Sequence, residues 1–177
     1  MTRPRFFSDQ SGVAATEMAL LVPLVIVLMF GGLEAGHFVW TQHKLAEAVR
    51  DGARFAGRLQ IDDLCDGASA DMSTDTEDEI KLLTRTGQLS SADAIPKVPG
   101  WTADQVTVEL DCNPTVFVST GIYSDLGSDG SGSVLNGPIV KVSASDVSYP
   151  SLLNGLGIEL FADLGLSAES NAPVIGL

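Results

Sequence analysis

The sequence predicts an α+β protein: a long N-terminal transmembrane and stem helix followed by a small, mainly antiparallel sheet domain. Three observations predict it. Val13 to Gly36 reads VAATEMALLVPLVIVLMFGGLEAG, with no charge between Met18 and Leu33. Apolar residues then recur at helical spacing to about Leu59. Beyond that, short segments alternate apolar and polar residues and are separated by Pro- and Gly-containing breaks, the pattern of half-buried strands.

The apolar run exceeds the ~20 residues needed to cross a bilayer. A cleaved secretory signal has a shorter apolar region, about 7–15 residues, with a small-x-small site after it. Leu33-Glu34-Ala35 offers no such site, so the segment is expected to remain as an anchor. Arg3 and Arg5 precede it with no acid before Asp9. The positive-inside rule therefore places residues 1–12 in the cytoplasm and the bulk of the chain outside, although His43, Lys44, Arg50 and Arg54 on the far side reduce the contrast. The expected organisation is a cytoplasmic leader at 1–12, a membrane helix at 13–36, an amphipathic stem at 37–60 and an extracytoplasmic domain at 61–177. Pro23 within the span reads as a simple kink, which membrane helices tolerate.

In the stem, Leu45, Val49, Gly52, Phe55/Ala56 and Leu59 form one apolar stripe. Arg50, Arg54 and Arg58 fall at i, i+4 and i+8 and share another face. That face is either solvated, helped by Glu47 and Asp51, or a strip that docks the acidic domain or a partner subunit. The small residues Ala46, Ala48, Gly52, Ala53 and Ala56 allow close approach of a helix or a sheet.

Asp62, Asp63 and Asp66 around Cys65 read as a loop. Thr74 followed by Glu77 has the form of a capping box, opening a helix to about Thr86 with Gly87 as its stop. Gln105 to Cys112 alternates Val106, Val108, Leu110 and Cys112 against Thr107, Glu109 and Asp111, a half-buried strand. Further strands are expected at Val116–Ile122, at Pro138–Tyr149 (with Val140, Val142 and Ala144 on one face) and, more weakly, at Ile158–Ala168. Ser124 to Asn136 has a linker's composition. It only superficially resembles a calcium loop, because Gly127 occupies a ligand position and Asn136 replaces the closing glutamate.

The chain has a formal net charge of −13. After residue 36 it holds 8 Lys and Arg against 20 Asp and Glu. Such a surface repels phosphate backbones and speaks against nucleic-acid binding; its simplest role is solubility. Cys65 and Cys112 both follow the anchor. In an oxidising compartment they would pair and close a loop worth about 4 kcal/mol by the chain-entropy estimate. In a reducing one they would be free thiols. Nothing in the sequence makes a catalytic constellation, a metal cluster or a cofactor motif. His37 and His43, beside Trp40, fit an interface belt at the membrane exit.

A carboxylate in a membrane helix is costly, so Glu17 is either a functional residue or one that snorkels to the cytoplasmic interface. Gly12 precedes it by five residues, after a short basic leader and ahead of an apolar helix. This arrangement resembles the class III signal of type IV pilin-like proteins. There a prepilin peptidase cuts after glycine and glutamate is the fifth mature residue, here Gly12, Val13 and Glu17. The resemblance narrows with Glu17-Met18-Ala19-Leu20, Pro23, Gly31-Gly32-Leu33-Glu34-Ala35-Gly36 and Ala48-Val49-Arg50-Asp51-Gly52-Ala53-Arg54-Phe55-Ala56. Together they resemble the TadE-like family, pilin-like components of the tight-adherence (Tad) pilus machinery, over roughly residues 12–57. Met18 stands where that pattern commonly has an aromatic residue, and His37 where it has arginine.

The resemblance implies processing between Gly12 and Val13, a place in the bacterial inner membrane, and service in pilus assembly rather than catalysis. It also implies assembly or recognition roles for Glu17, Glu34, Arg50 and Arg54. The implied partners are the prepilin peptidase, other pilin-like Tad subunits and the lipid bilayer, with no cofactor. A function of a different class is an uncleaved bitopic envelope protein that presents an extracytoplasmic binding domain. The mature N-terminus discriminates the two.

Overall fold

A computed structural model describes residues 11–66, 68–114, 123, 136–157, 161 and 164–176. The leader to residue 10, the strand expected at 116–122 and the linker at 124–135 lie outside the described residues.

A single helix, α1, runs from Ser11 to Ala56 with Pro23 inside it. Its two parts differ in what surrounds them. Every residue from Gly12 to Leu33 is exposed, and cover begins at Glu34. From there the buried positions follow one face: Glu34, Thr41, Leu45, Ala48, Val49, Ala53 and Ala56. The helix ends three residues earlier than the stripe to Leu59 suggests. Gly57 explains the early end: a side chain there would come within 2.7 Å of the Pro173 carbonyl oxygen. The Gly57 carbonyl is also diverted to accept from Ile175 N at 2.8 Å. The chain then tightens through bonds of three-residue span at Arg58 and Leu59.

Ile61–Asp63 forms a short 3₁₀ turn where the sequence suggests a plain loop. A two-residue antiparallel ladder of β1 (Cys65–Asp66) and β2 (Ser69–Ala70) follows. Helix α2 spans Thr74–Thr86 and stops at Gly87, whose φ of 76° is the left-handed conformation glycine adopts freely. Its N-cap is Ser73, one residue before the expected Thr74, and the Ser73 hydroxyl accepts from Thr76 N at 3.2 Å. Glu77 serves instead in an i,i+4 ion pair with Lys81 at 2.6 Å.

The main sheet has three antiparallel strands in the order β3 (Val106–Asp111), β4 (Ile139–Ser148) and β5 (Gly165–Pro173). Register aligns the inward residues in rows. Val106, Ala144 and Ala168 make one; Val108, Val142 and Ser170 the next; Leu110, Val140 and Ala172 the third. On the outer face Lys141 lies 3.2 Å from Glu109 and 3.6 Å from Glu169, and these carboxylates hold its ammonium pKa above the usual lysine value, Glu109 most strongly. The last strand takes in the end of the expected Ile158–Ala168 stretch and runs on to Pro173, while residues 158–160, 162 and 163 of that stretch lie outside the described residues. Its inward residues are mainly Ala and Ser, small because α1 packs closely against them.

The stem of α1 thus lies between α2 and the sheet. Its small residues Ala48, Gly52, Ala53 and Ala56 are buried against the protein's own domain. Leu45, Val49, Ile80, Trp101, Val140, Val142 and Leu166 fill the core between these elements.

Candidate functional site

The residues singled out by sequence fall into three places along α1. Gly12, Val13 and Glu17 occupy its first two turns and are exposed. The Thr16 hydroxyl donates to the Val13 carbonyl at 2.8 Å. Glu17 lies one helical turn after Val13, at i+4, so the two are stacked along the helix.

Glu34 is different. It is only 4% exposed, and among the described residues its carboxylate oxygens find no hydrogen-bond partner. Tyr149, which follows β4, covers it. The Tyr149 hydroxyl donates to the Glu34 backbone carbonyl at 3.1 Å and lies 3.0 Å from His37 Nδ1. A hydroxyl has one proton, and the carbonyl takes it. His37 Nδ1 must therefore carry the hydrogen and donate to the Tyr149 oxygen. The carboxylate is sensed through proximity instead. Burial first, and then the Glu34 side chain, push the Tyr149 hydroxyl pKa up to about 12. The ring also packs edge-on to Phe38, with centroids 5.3 Å apart. His37 is thus a link between helix and domain, not only part of an interface belt. Sequence reasoning could not pair it with Tyr149, 112 positions away.

Arg50 and Arg54 point away from all of this. Both are exposed on the side of α1 opposite Gly52 and Ala56, Arg58 lies exposed just beyond the helix end, and none is ion-paired among the described residues. Asp51 reaches Lys97 at 3.1 Å, and Glu47 faces His43 at 3.5 Å.

Cys65 and Cys112 are joined in a disulfide with Cα atoms 5.8 Å apart, tying β1 to the end of β3. Both are buried. Among the described residues, no group of three His, Cys, Asp or Glu side chains is placed to hold a metal ion.

A 46-residue helix whose first half is apolar and bare, and whose second half bears a domain on one face, is the geometry of a membrane-anchored stem. Residues 12–54 match the family model described as TadE-like protein. Over these residues, less than half of the chain, α1 is similar to TadE-like proteins. The match takes in the Gly12–Glu17 segment, Glu34, Arg50 and Arg54, and stops just before α1 ends, so the sheet lies beyond it. No curated protein and no solved structure matches the chain. Among the described residues, α1 is the one helix long and apolar enough to cross a membrane, and it lies near the N-terminus.

Proposed function

We propose that this protein is a minor pilin, or pseudopilin, of the Tad pilus assembly system. It is held in the bacterial inner membrane, with the leader in the cytoplasm and the sheet domain outside. A prepilin peptidase cuts between Gly12 and Val13, and the mature subunit associates with other pilin-like Tad subunits. The observation that carries this reading is the TadE-like match over residues 12–54, which begins at the glycine of the G-x-x-x-x-E spacing. Exposure of every residue from Gly12 to Leu33 supports it, because that surface is left for lipid or for neighbouring helices.

The chemistry of Glu17 follows. Cleavage creates an ammonium group on Val13, and in a membrane each charge is costly alone. Pairing with the Glu17 carboxylate offsets much of that cost, within the chain or with a neighbour. Pairing between neighbours would set the axial register of subunits. Peptide mapping of protein extracted from its native membrane, with and without the peptidase, tests the processing step. The expected mature N-terminus is Val13. Chains that begin only at Met1 or Thr2 in cells with active peptidase would defeat it and favour the uncleaved, domain-presenting alternative.

A further inference from the structure

The domain meets α1 at a defined height. The bare stretch from Gly12 to Leu33 is about 33 Å long at ~1.5 Å per residue, close to the ~30 Å hydrocarbon thickness of a bilayer. Cover therefore starts, at Glu34, where the hydrocarbon ends. Tyr149 pins the end of β4 to this level through Glu34 and His37. The backbone closes there too, since Tyr149 N donates to the Leu164 carbonyl at 2.9 Å.

Two leucines near Tyr149 are exposed at this level. Leu152 is 52% exposed and Leu164 37%. Around the other side of the helix, Val39 and Trp40 are exposed as well. Helical side chains lean toward the N-terminus, so both reach down toward the boundary rather than away from it. Lys44 Nζ sits 4.4 Å from the Trp40 ring centre, an aromatic–cation pair suited to a headgroup layer. The exposed acids Asp62, Asp63, Asp66, Asp71 and Asp75 follow the opposite end of the stem, whose last turn is roughly 33 Å from Glu34 along the axis.

We propose that the base of the domain is a lipid-contacting surface. Leu152 and Leu164 enter the outer headgroup layer beside Val39 and Trp40, so the domain rests on the bilayer instead of standing clear of it on its stem. Lipid is the occupant because the patch adjoins the anchor itself and surrounds it at one level, where a bilayer is necessarily present. The inference rests on α1 being the membrane anchor.

The test is fluorescence quenching of the full chain reconstituted in phosphatidylcholine vesicles with brominated acyl chains. Trp40→Phe removes the exposed native tryptophan and leaves Trp101, which is buried. In that background a reporter is placed by Leu152→Trp, by Leu21→Trp within the span, or by Ile95→Trp. Ile95 is 79% exposed and lies two residues from Lys97, at the height of Asp51. Leu164→Trp repeats the reading at the second exposed leucine if Leu152→Trp disturbs packing. The expected result is several-fold stronger quenching at 152 or 164 than at 95, with blue-shifted emission. Quenching at 21 with both base reporters no better quenched than 95 would overturn the inference and leave the anchor intact. Absence of quenching at 21 would sink the anchor reading itself, and this inference with it.

Discussion

The closest approach in the stem is at Gly52, and it gives a quantitative handle on how the domain is held. A β-carbon there would overlap Thr84 Oγ1 and lie 3.0 Å from Thr84 Cβ and 3.3 Å from its Cγ2. Thr84 is fully buried, and its hydroxyl donates to the Ile80 carbonyl at 2.7 Å. It cannot swing aside cheaply. Two effects oppose each other in Gly52→Ala. Alanine favours the helix interior over glycine by about 1 kcal/mol, whereas forcing atoms into a packed contact costs about 1–3 kcal/mol. With a β-branched, hydrogen-bonded neighbour the cost lies toward the upper end, leaving a net loss of about 1–2 kcal/mol. At ~2–4 °C per kcal/mol for a chain of this size, that lowers Tm by about 2–8 °C. The assay is unfolding of the full chain in detergent micelles, followed by Trp101 fluorescence in a Trp40→Phe background. Adding Thr84→Ala removes Oγ1 and Cγ2 and is expected to recover part of the loss. Gly36→Ala, also within α1 but with nothing within 4 Å, is the control without a clash and is expected to keep or raise Tm. A Gly52→Ala protein as stable as the wild type would refute the close α1–α2 packing.

Three further outcomes are expected. Reducing the Cys65–Cys112 disulfide opens a loop with a sequence separation of 47 and costs about 4 kcal/mol by the chain-entropy estimate; protein denatured without reductant should show no free thiol at either position, and strong labelling at both would contradict the staple. Tyr149→Phe leaves the Glu34 carbonyl and His37 Nδ1 without their partner, a loss of about 1–3 kcal/mol. Because the folded hydroxyl titrates near 12, above the ordinary 10, the stability it contributes is whole below pH 10 and is lost as pH rises toward 12; the late step in an ultraviolet alkaline titration should vanish in Tyr149→Phe. Glu17→Gln should insert and be cleaved normally yet lose stable co-purification with other pilin-like subunits, and wild-type association would show the carboxylate to be incidental.

The elements whose sequence states both a period and its ends were legible. Helix α2 has alternation at 3.6, polar residues before it and Gly87 after it. Strands β3 and β4 carry Val at alternate positions on the face that the core fills. The extension of β5 past Ala168 to Pro173 was not legible because GLSAESNAP has almost no apolar signal: Leu166 is its one buried residue, and the face against α1 is built from small side chains. Propensity had nothing to act on there, whereas the packing partner, α1, is more than a hundred residues away. The early end of α1 was hidden for a similar reason, since it depends on the Pro173 carbonyl. The candidate site divides the same way. Gly12, Glu17, Glu34, Arg50 and Arg54 could be picked out as residues. That Glu34 would be covered by Tyr149, 115 positions later, and that Arg54 would face outward could not.

The register of α1 separates two kinds of requirement on one helix. Glu34, Thr41, Leu45, Ala48, Gly52 and Ala56 lie along the side that the domain covers, where volume and hydrogen bonding dominate. Arg50 and Arg54 lie on the opposite side, with Arg58 just past the helix end. Two cations at i and i+4 repel one another slightly, and no carboxylate among the described residues answers them, although acids outnumber bases overall. Among the described residues, folding draws no ion pair from their alignment. An interaction made only when another molecule approaches the back of the stem would gain from it, because charge complementarity orients and selects partners more than it adds affinity. One face of the helix is thus fixed by its own domain, while the other carries Arg50 and Arg54 exposed among the described residues.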